Sequence, residues 1–102
     1  MNDYQFSPDA LQDLKDVWDF IRNDSAAETA DKVVDAIFTA CEGLAAMKHK
    51  GHKREDLTSS AVRFWLVYPY HVIYRPETTP LQIVGIVHGS RDVPEVLRER
   101  DL

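Results

Sequence analysis

The apolar residues of this 102-residue chain change their spacing once, near Lys48–Thr58. Before that segment they recur every three or four residues, the period of a helix. After it they fall in short runs rich in β-branched and aromatic side chains, as in strands. A chain that is helical in its first half and stranded in its second has to bury helix stripes against a sheet face, because neither surface is stable in water alone. A chain of this length removes roughly 60–70% of its unfolded surface from water. That is enough for one core, so one domain over residues 1–102 is expected.

The helical half divides in two. Tyr4-Gln5-Phe6 alternates and reads as a short edge strand. Ser7-Pro8-Asp9 then predicts a helix start: Ser caps, Pro suits the first helical position, and Asp favours the positive end of the helix dipole. Leu11, Leu14, Val17, Trp18 and Ile21 form one stripe, with Asp13, Lys15, Asp16 and Asp19 on the other face. Asn23-Asp24 breaks the helix. Ser25-Ala-Ala-Glu28 has the form of a capping box. It introduces a second stripe of Ala30, Val33, Val34, Ile37, Phe38, Cys41, Leu44 and Ala45. So short a break predicts an antiparallel hairpin.

The stranded half holds three runs, Val62–Val67, Tyr70–Tyr74 and Leu81–His88, punctuated by Pro69, Pro76 and Pro80. Short connections make them an antiparallel meander. Leu81–Val87 is almost wholly apolar and predicts an interior strand, with Gly85 marking a bulge or a close backbone approach. Asp92-Val-Pro-Glu95 predicts a last, short helix. The fold class is therefore α+β: an antiparallel sheet with an N-terminal helical hairpin on one face and a short C-terminal helix. A two-helix layer would leave sheet surface and strand edges uncovered. The pattern leaves the place of the first strand open.

The net charge of −5 argues against general affinity for nucleic acid. Its distribution is uneven: residues 1–47 carry ten acidic and three basic side chains, a balance of −7, and residues 48–102 carry seven and nine, a balance of +2. Such asymmetry suits a charged partner, or it solvates two surfaces. Cys41 is the only cysteine. It reads as a small buried side chain and fits a reducing cytoplasm. No run approaches the roughly 20 apolar residues of a membrane span. Met1 leads directly to Asn2 and Asp3, so no signal peptide is expected.

Four strings stand out in order: Gly51-His52-Lys53-Arg54-Glu55-Asp56-Leu57-Thr58, Val62-Arg63-Phe64-Trp65, Val72-Ile73-Tyr74-Arg75 and Ile86-Val87-His88-Gly89-Ser90-Arg91-Asp92. Together with the order strand, helical hairpin, meander, they resemble the ParE-type toxins of the RelE/ParE toxin–antitoxin superfamily, over Tyr4 to about Leu97. The resemblance implies a toxin neutralised by a cognate antitoxin, ParD-like or similar, acting in the cytoplasm without cofactor or metal. Two activities occur in that superfamily. ParE-like members poison DNA gyrase; RelE-like members cleave messenger RNA on the ribosome.

Cleavage through a 2′-hydroxyl needs an acid, a base and a cation at the phosphate. The candidates for it are Arg63, His88 and Arg91. No Tyr follows Tyr74, where the resemblance to RelE-like chains implies one near the C-terminus, so gyrase is the preferred target and no catalytic residue is expected. His88 can act as acid or base, or can shape the loop through Gly89. Arg63 either meets a partner or pins the sheet; Arg91 and Asp92 equally fit local capping and pairing. The segment Lys48–Arg54 is the densest basic patch. Lys50, Lys53, Arg54, Arg63 and Arg91 are the candidates for contact with a partner or nucleic acid, and the bland alternative is a solvated loop. A member that binds its antitoxin but has lost toxicity is a third reading.

Overall fold

The computed structural model describes residues 3–102; Met1 and Asn2 lie outside the described residues. The elements run β1 (Tyr4–Phe6), α1 (Pro8–Asp24), α2 (Ala27–Ala46), β2 (Arg63–Val67), β3 (Tyr70–Arg75), β4 (Leu81–His88) and α3 (Val93–Glu99). β2, β3 and β4 form the expected antiparallel meander, and the strand order is β1-β4-β3-β2. β4 is interior, as its apolar run predicts. β1 joins β4 in parallel, Tyr4 opposite Leu81, so the sheet is mixed rather than wholly antiparallel. A parallel neighbour needs a long crossover, and the helices and the meander together supply it.

Ser7 caps α1 as expected, its Oγ accepting from the Ala10 N–H at 3.1 Å with Pro8 in the first turn. The buried stripe of α1 is rotated from the expected one. Ala10, Asp13, Leu14 and Val17 face inward, while Leu11 is 43% exposed. The capping box does not form. Ser25 ends α1 by donating its N–H to the Ile21 carbonyl, and Ala26 takes the cap position of α2. A break of two residues leaves Ser25 committed to the first helix, and its Oγ lies 3.4 Å from Thr29 Oγ1 instead. Trp18 Nε1 donates to Asp31 across the two helices at 2.8 Å.

The hairpin buries Leu14, Val17, Ile37, Cys41 and Leu44 against Tyr70, Val72, Tyr74, Leu81, Ile83 and Ile86. The opposite face is not bare. Val93, Val96 and Leu97 of α3, with Leu102, pack on Val62, Phe64, Ile73, Val84 and Val87. The short C-terminal helix is thus a second cover, its start capped by Asp92, whose carboxylate accepts from the Glu95 N–H.

Gly85 sits at the expected irregularity. Ile73 pairs with Gly85 and Tyr74 with Ile83, which leaves Val84 as the extra residue of a bulge. A Cβ on Gly85 would lie 3.3 Å from an Arg100 guanidinium nitrogen. That guanidinium forms a buried pair with Asp13, at 2.6 and 2.8 Å. Asp13 also accepts from the Ile86 N–H at 2.9 Å, and Arg100 donates to the Val84 carbonyl at 3.2 Å. β1 pairs only with Leu81–Ile83, so beyond it these two side chains satisfy backbone groups of β4 that a longer strand would otherwise meet.

Candidate functional site

The basic segment between α2 and β2 is largely engaged. Lys48 Nζ donates to the Thr78 carbonyl at 2.9 Å and to Thr79 Oγ1 at 2.8 Å. His49 meets Glu77 at 3.1 Å. Arg54 makes two bonds to Asp56, at 2.9 and 2.8 Å, which hold its guanidinium pKa above the ordinary value. Lys50 Nζ lies 4.7 Å above the Trp65 ring and His52 stacks on the same ring. Lys53 is exposed. Tyr74 anchors the segment from below: its hydroxyl donates to the Lys48 carbonyl at 2.8 Å and accepts from the Gly51 N–H at 2.9 Å. A Cβ on Gly51 would lie 2.5 Å from that hydroxyl, so only glycine fits.

Arg63 serves the same anchoring. One guanidinium nitrogen donates to the Gly51 carbonyl at 2.8 Å, and its buried Nε has no partner among the described residues. Arg63 stands opposite Tyr74, and His88 opposite Tyr70. The two positions differ by four residues of β3, about 13 Å along the strand, and by two strand spacings across it. The structure therefore brings His88 and Arg91 together and keeps Arg63 apart from them.

His88 ends β4 above a tight loop. Its Nδ1 accepts from the Ser90 backbone N–H at 3.0 Å and lies 2.8 Å from Ser90 Oγ. A backbone donor demands the lone pair of Nδ1, so a neutral His88 carries its proton on Nε2. The Tyr70 ring meets the imidazole edge to face, with centroids 5.3 Å apart. The Gly89 N–H donates to the Pro69 carbonyl at 2.8 Å, and the Arg91 N–H to the His88 carbonyl at 3.0 Å. Of the two readings of His88, loop shaping is what the geometry displays. Arg91 makes no ion pair among the described residues and is exposed.

Beside this loop opens a cavity of about 320 Å³ between α1 and the sheet, lined by Val17, Phe20, Tyr70, Ile86, His88 and Arg91, among others. Phe20 forms a lip and is 63% exposed. Asp13, Phe20 and Arg100 are the residues that sequence reasoning missed here. The signal for Asp13 was its place between Ala10 and Leu14, on the inward side of α1 once the stripe is rotated. Among the described residues no cluster of His, Cys, Asp or Glu is placed to hold a metal ion, and no helix is long and apolar enough to cross a membrane.

Comparison with known proteins gives this geometry a context. Residues 4–93 match the family described as the ParE toxin of the type II toxin–antitoxin system parDE. The fold is similar to that of a solved chain from the chromosomal ParDE toxin–antitoxin system of P. aeruginosa, with TM-score 0.70 and 22% identity over 83% of this chain and 92% of that one. No curated protein matches the sequence.

Proposed function

Because the chain belongs to the ParE toxin family of type II toxin–antitoxin systems, we propose that it arrests growth by inhibiting DNA gyrase and is neutralised by a cognate, ParD-like antitoxin. The observation that carries the reading is the family match over residues 4–93. The site chemistry supports it. RNA cleavage asks for an acid, a base and a cation converging on one phosphate. Here Arg63 is tied to Gly51, His88 Nδ1 is tied to Ser90, and no Tyr follows Tyr74 to take a terminal role. The protein then works by binding, as a single domain in the cytoplasm with its target and its antitoxin, and needs neither metal nor cofactor. Of the candidate cations, exposed Lys53 and Arg91 have no ion pair among the described residues and would meet a partner, whereas Arg54 is paired with Asp56.

The test is a supercoiling assay with purified gyrase and excess toxin. Loss of supercoiling, or trapped gyrase–DNA cleavage complexes, is the expected result. Unaffected supercoiling refutes the gyrase reading. Toeprinting on translating ribosomes runs beside it: cleavage in the ribosomal A site that disappears in Arg63→Ala would assign the chain to the messenger RNA endonucleases instead.

A further inference from the structure

The end of β4 is an unfinished sheet edge, and it opens beside the cavity between α1 and the sheet. β1 covers β4 only at Leu81–Ile83. In an antiparallel ladder alternate residues exchange their backbone bonds with the neighbouring strand, and those between them point the other way. The Gly89 N–H bonds to the Pro69 carbonyl, and Val87 and Gly85 stand opposite His71 and Ile73 in the same phase. Ile86 and His88 therefore direct their N–H and C=O groups away from β3. Asp13 takes the Ile86 N–H and the loop's Arg91 N–H takes the His88 carbonyl. That leaves the Ile86 carbonyl and the His88 N–H, spaced as one step of a strand ladder.

The two residues that carry these groups line the cavity of about 320 Å³, whose wall is apolar at Val17, Phe20, Tyr70 and Ile86. The volume is at the small end of the range of ligand pockets and suits one or two side chains. A helix, about 10–12 Å across, cannot bring its backbone to the roughly 4.8 Å spacing that ladder bonds need. An extended segment can. Charge adds direction: Arg91, exposed and without an ion pair among the described residues, stands at the loop side, and Asp16 lines the α1 side.

We propose that this groove takes an extended peptide segment of a partner protein, which pairs with β4 at Ile86 and His88 where β1 stops, sets one apolar side chain against Phe20 and Tyr70, and lays an acidic side chain on Arg91. The segment carries its negative charge at the loop side only, because Asp16 repels a second one. This goes beyond the gyrase reading and rests on it only in expecting a protein partner.

The test is titration of the ¹⁵N-labelled full chain, made by cell-free synthesis, with synthetic nonapeptides. Their probe sequence alternates Thr and Val around a central Leu, with Asp two residues on. The His88 amide and its neighbours are expected to shift with a dissociation constant on the order of 10⁻⁴ M. N-methylation of the peptide at alternate residues should weaken binding about tenfold on the pairing phase and little on the other. Phe20→Ala removes the exposed lip and should weaken binding; Arg91→Glu should weaken it about threefold, with recovery when the Asp of the peptide becomes Lys. Each of three results would overturn the proposal: no saturable shift at about millimolar peptide, N-methyl sensitivity without a two-residue period, or tighter binding of a helical peptide of the same composition. The supercoiling assay is independent, so either reading can fail while the other stands.

Discussion

Replacing Arg100 by Ala should cost this protein about 3–5 kcal/mol of stability, the range for a buried carboxylate left without its cation. The pair qualifies as buried: the Arg100 and Asp13 side chains are 15% and 7% exposed. Asp13 would lose both guanidinium bonds and keep only the Ile86 N–H. The Val84 carbonyl would lose its donor as well. The sharper perturbation is the double variant Asp13→Leu/Arg100→Met. Where a buried ion pair only balances itself, exchange for apolar residues of similar size is neutral or stabilising. Here the pair also satisfies two backbone groups of β4, and an unsatisfied buried group costs about 1–3 kcal/mol. The double variant should therefore remain destabilised by about 2 kcal/mol or more. Urea denaturation followed by circular dichroism reads the difference as a shift in midpoint at constant slope. A double variant as stable as the parent would refute the idea that these side chains complete the sheet edge.

The Cys41 thiol is buried on α2, and burial, with the nearby Glu42 carboxylate, pushes its pKa up to about 12. The folded protein should resist iodoacetamide at pH 8 and label fully in denaturant; stoichiometric labelling of the native protein would contradict this. Burial, with the Arg54 charge as a second cause, lowers the pKa of His71 from 6.5. The neutral ring is thus favoured in the fold, so its contribution is present above about pH 6.5 and is lost as pH falls through the folded value. His71→Gln should flatten the fall in urea midpoint between about pH 6.5 and 5, and an unchanged slope would exclude His71 as its source. Gly51→Ala places a methyl 2.5 Å from the Tyr74 hydroxyl and 2.9 Å from the Phe64 carbonyl. It should cost about 1–3 kcal/mol as overpacking, measured by thermal denaturation; a neutral result would mean that the 48–54 segment can move away.

The elements were legible in the sequence because their signals are local. Ser7-Pro8 and Asp92 cap helices through groups within three residues of themselves. The apolar run Leu81–Val87 marks an interior strand whatever its neighbours are. The position of β1 was not legible, since a three-residue strand has no pattern that chooses a partner, and its pairing with β4 lies across most of the chain. The capping box at Ser25 does not form because the short break makes Ser25 the last residue of the first helix end, its N–H on the Ile21 carbonyl, and leaves Ala26 to start α2. Arg63, His88 and Arg91 were each visible as candidates, but no spacing in the sequence states that the first stands two strands from the others. The inward place of Asp13 is not legible from its own charge, because the cation that pairs with it, Arg100, lies 87 residues away.

Both the stability of this fold and its open groove trace to the shortness of β1. A strand of three residues cannot cover a strand of eight. The chain answers the deficit in two ways along the same edge. Next to β1 a carboxylate and a guanidinium, from Asp13 and Arg100, satisfy the Ile86 N–H and the Val84 carbonyl. One step further Ile86 and His88 line the cavity between α1 and the sheet, where the proposed segment would pair with them. Lengthening β1 would therefore act twice. The residues after Phe6 are Ser7 and Pro8: Ser7 gives its N–H to the Ile83 carbonyl but commits its carbonyl and its side chain to the start of α1, and Pro8 has no N–H to give. The helix start that opens α1 is the reason the strand stops, and the stop is what leaves β4 an edge to offer.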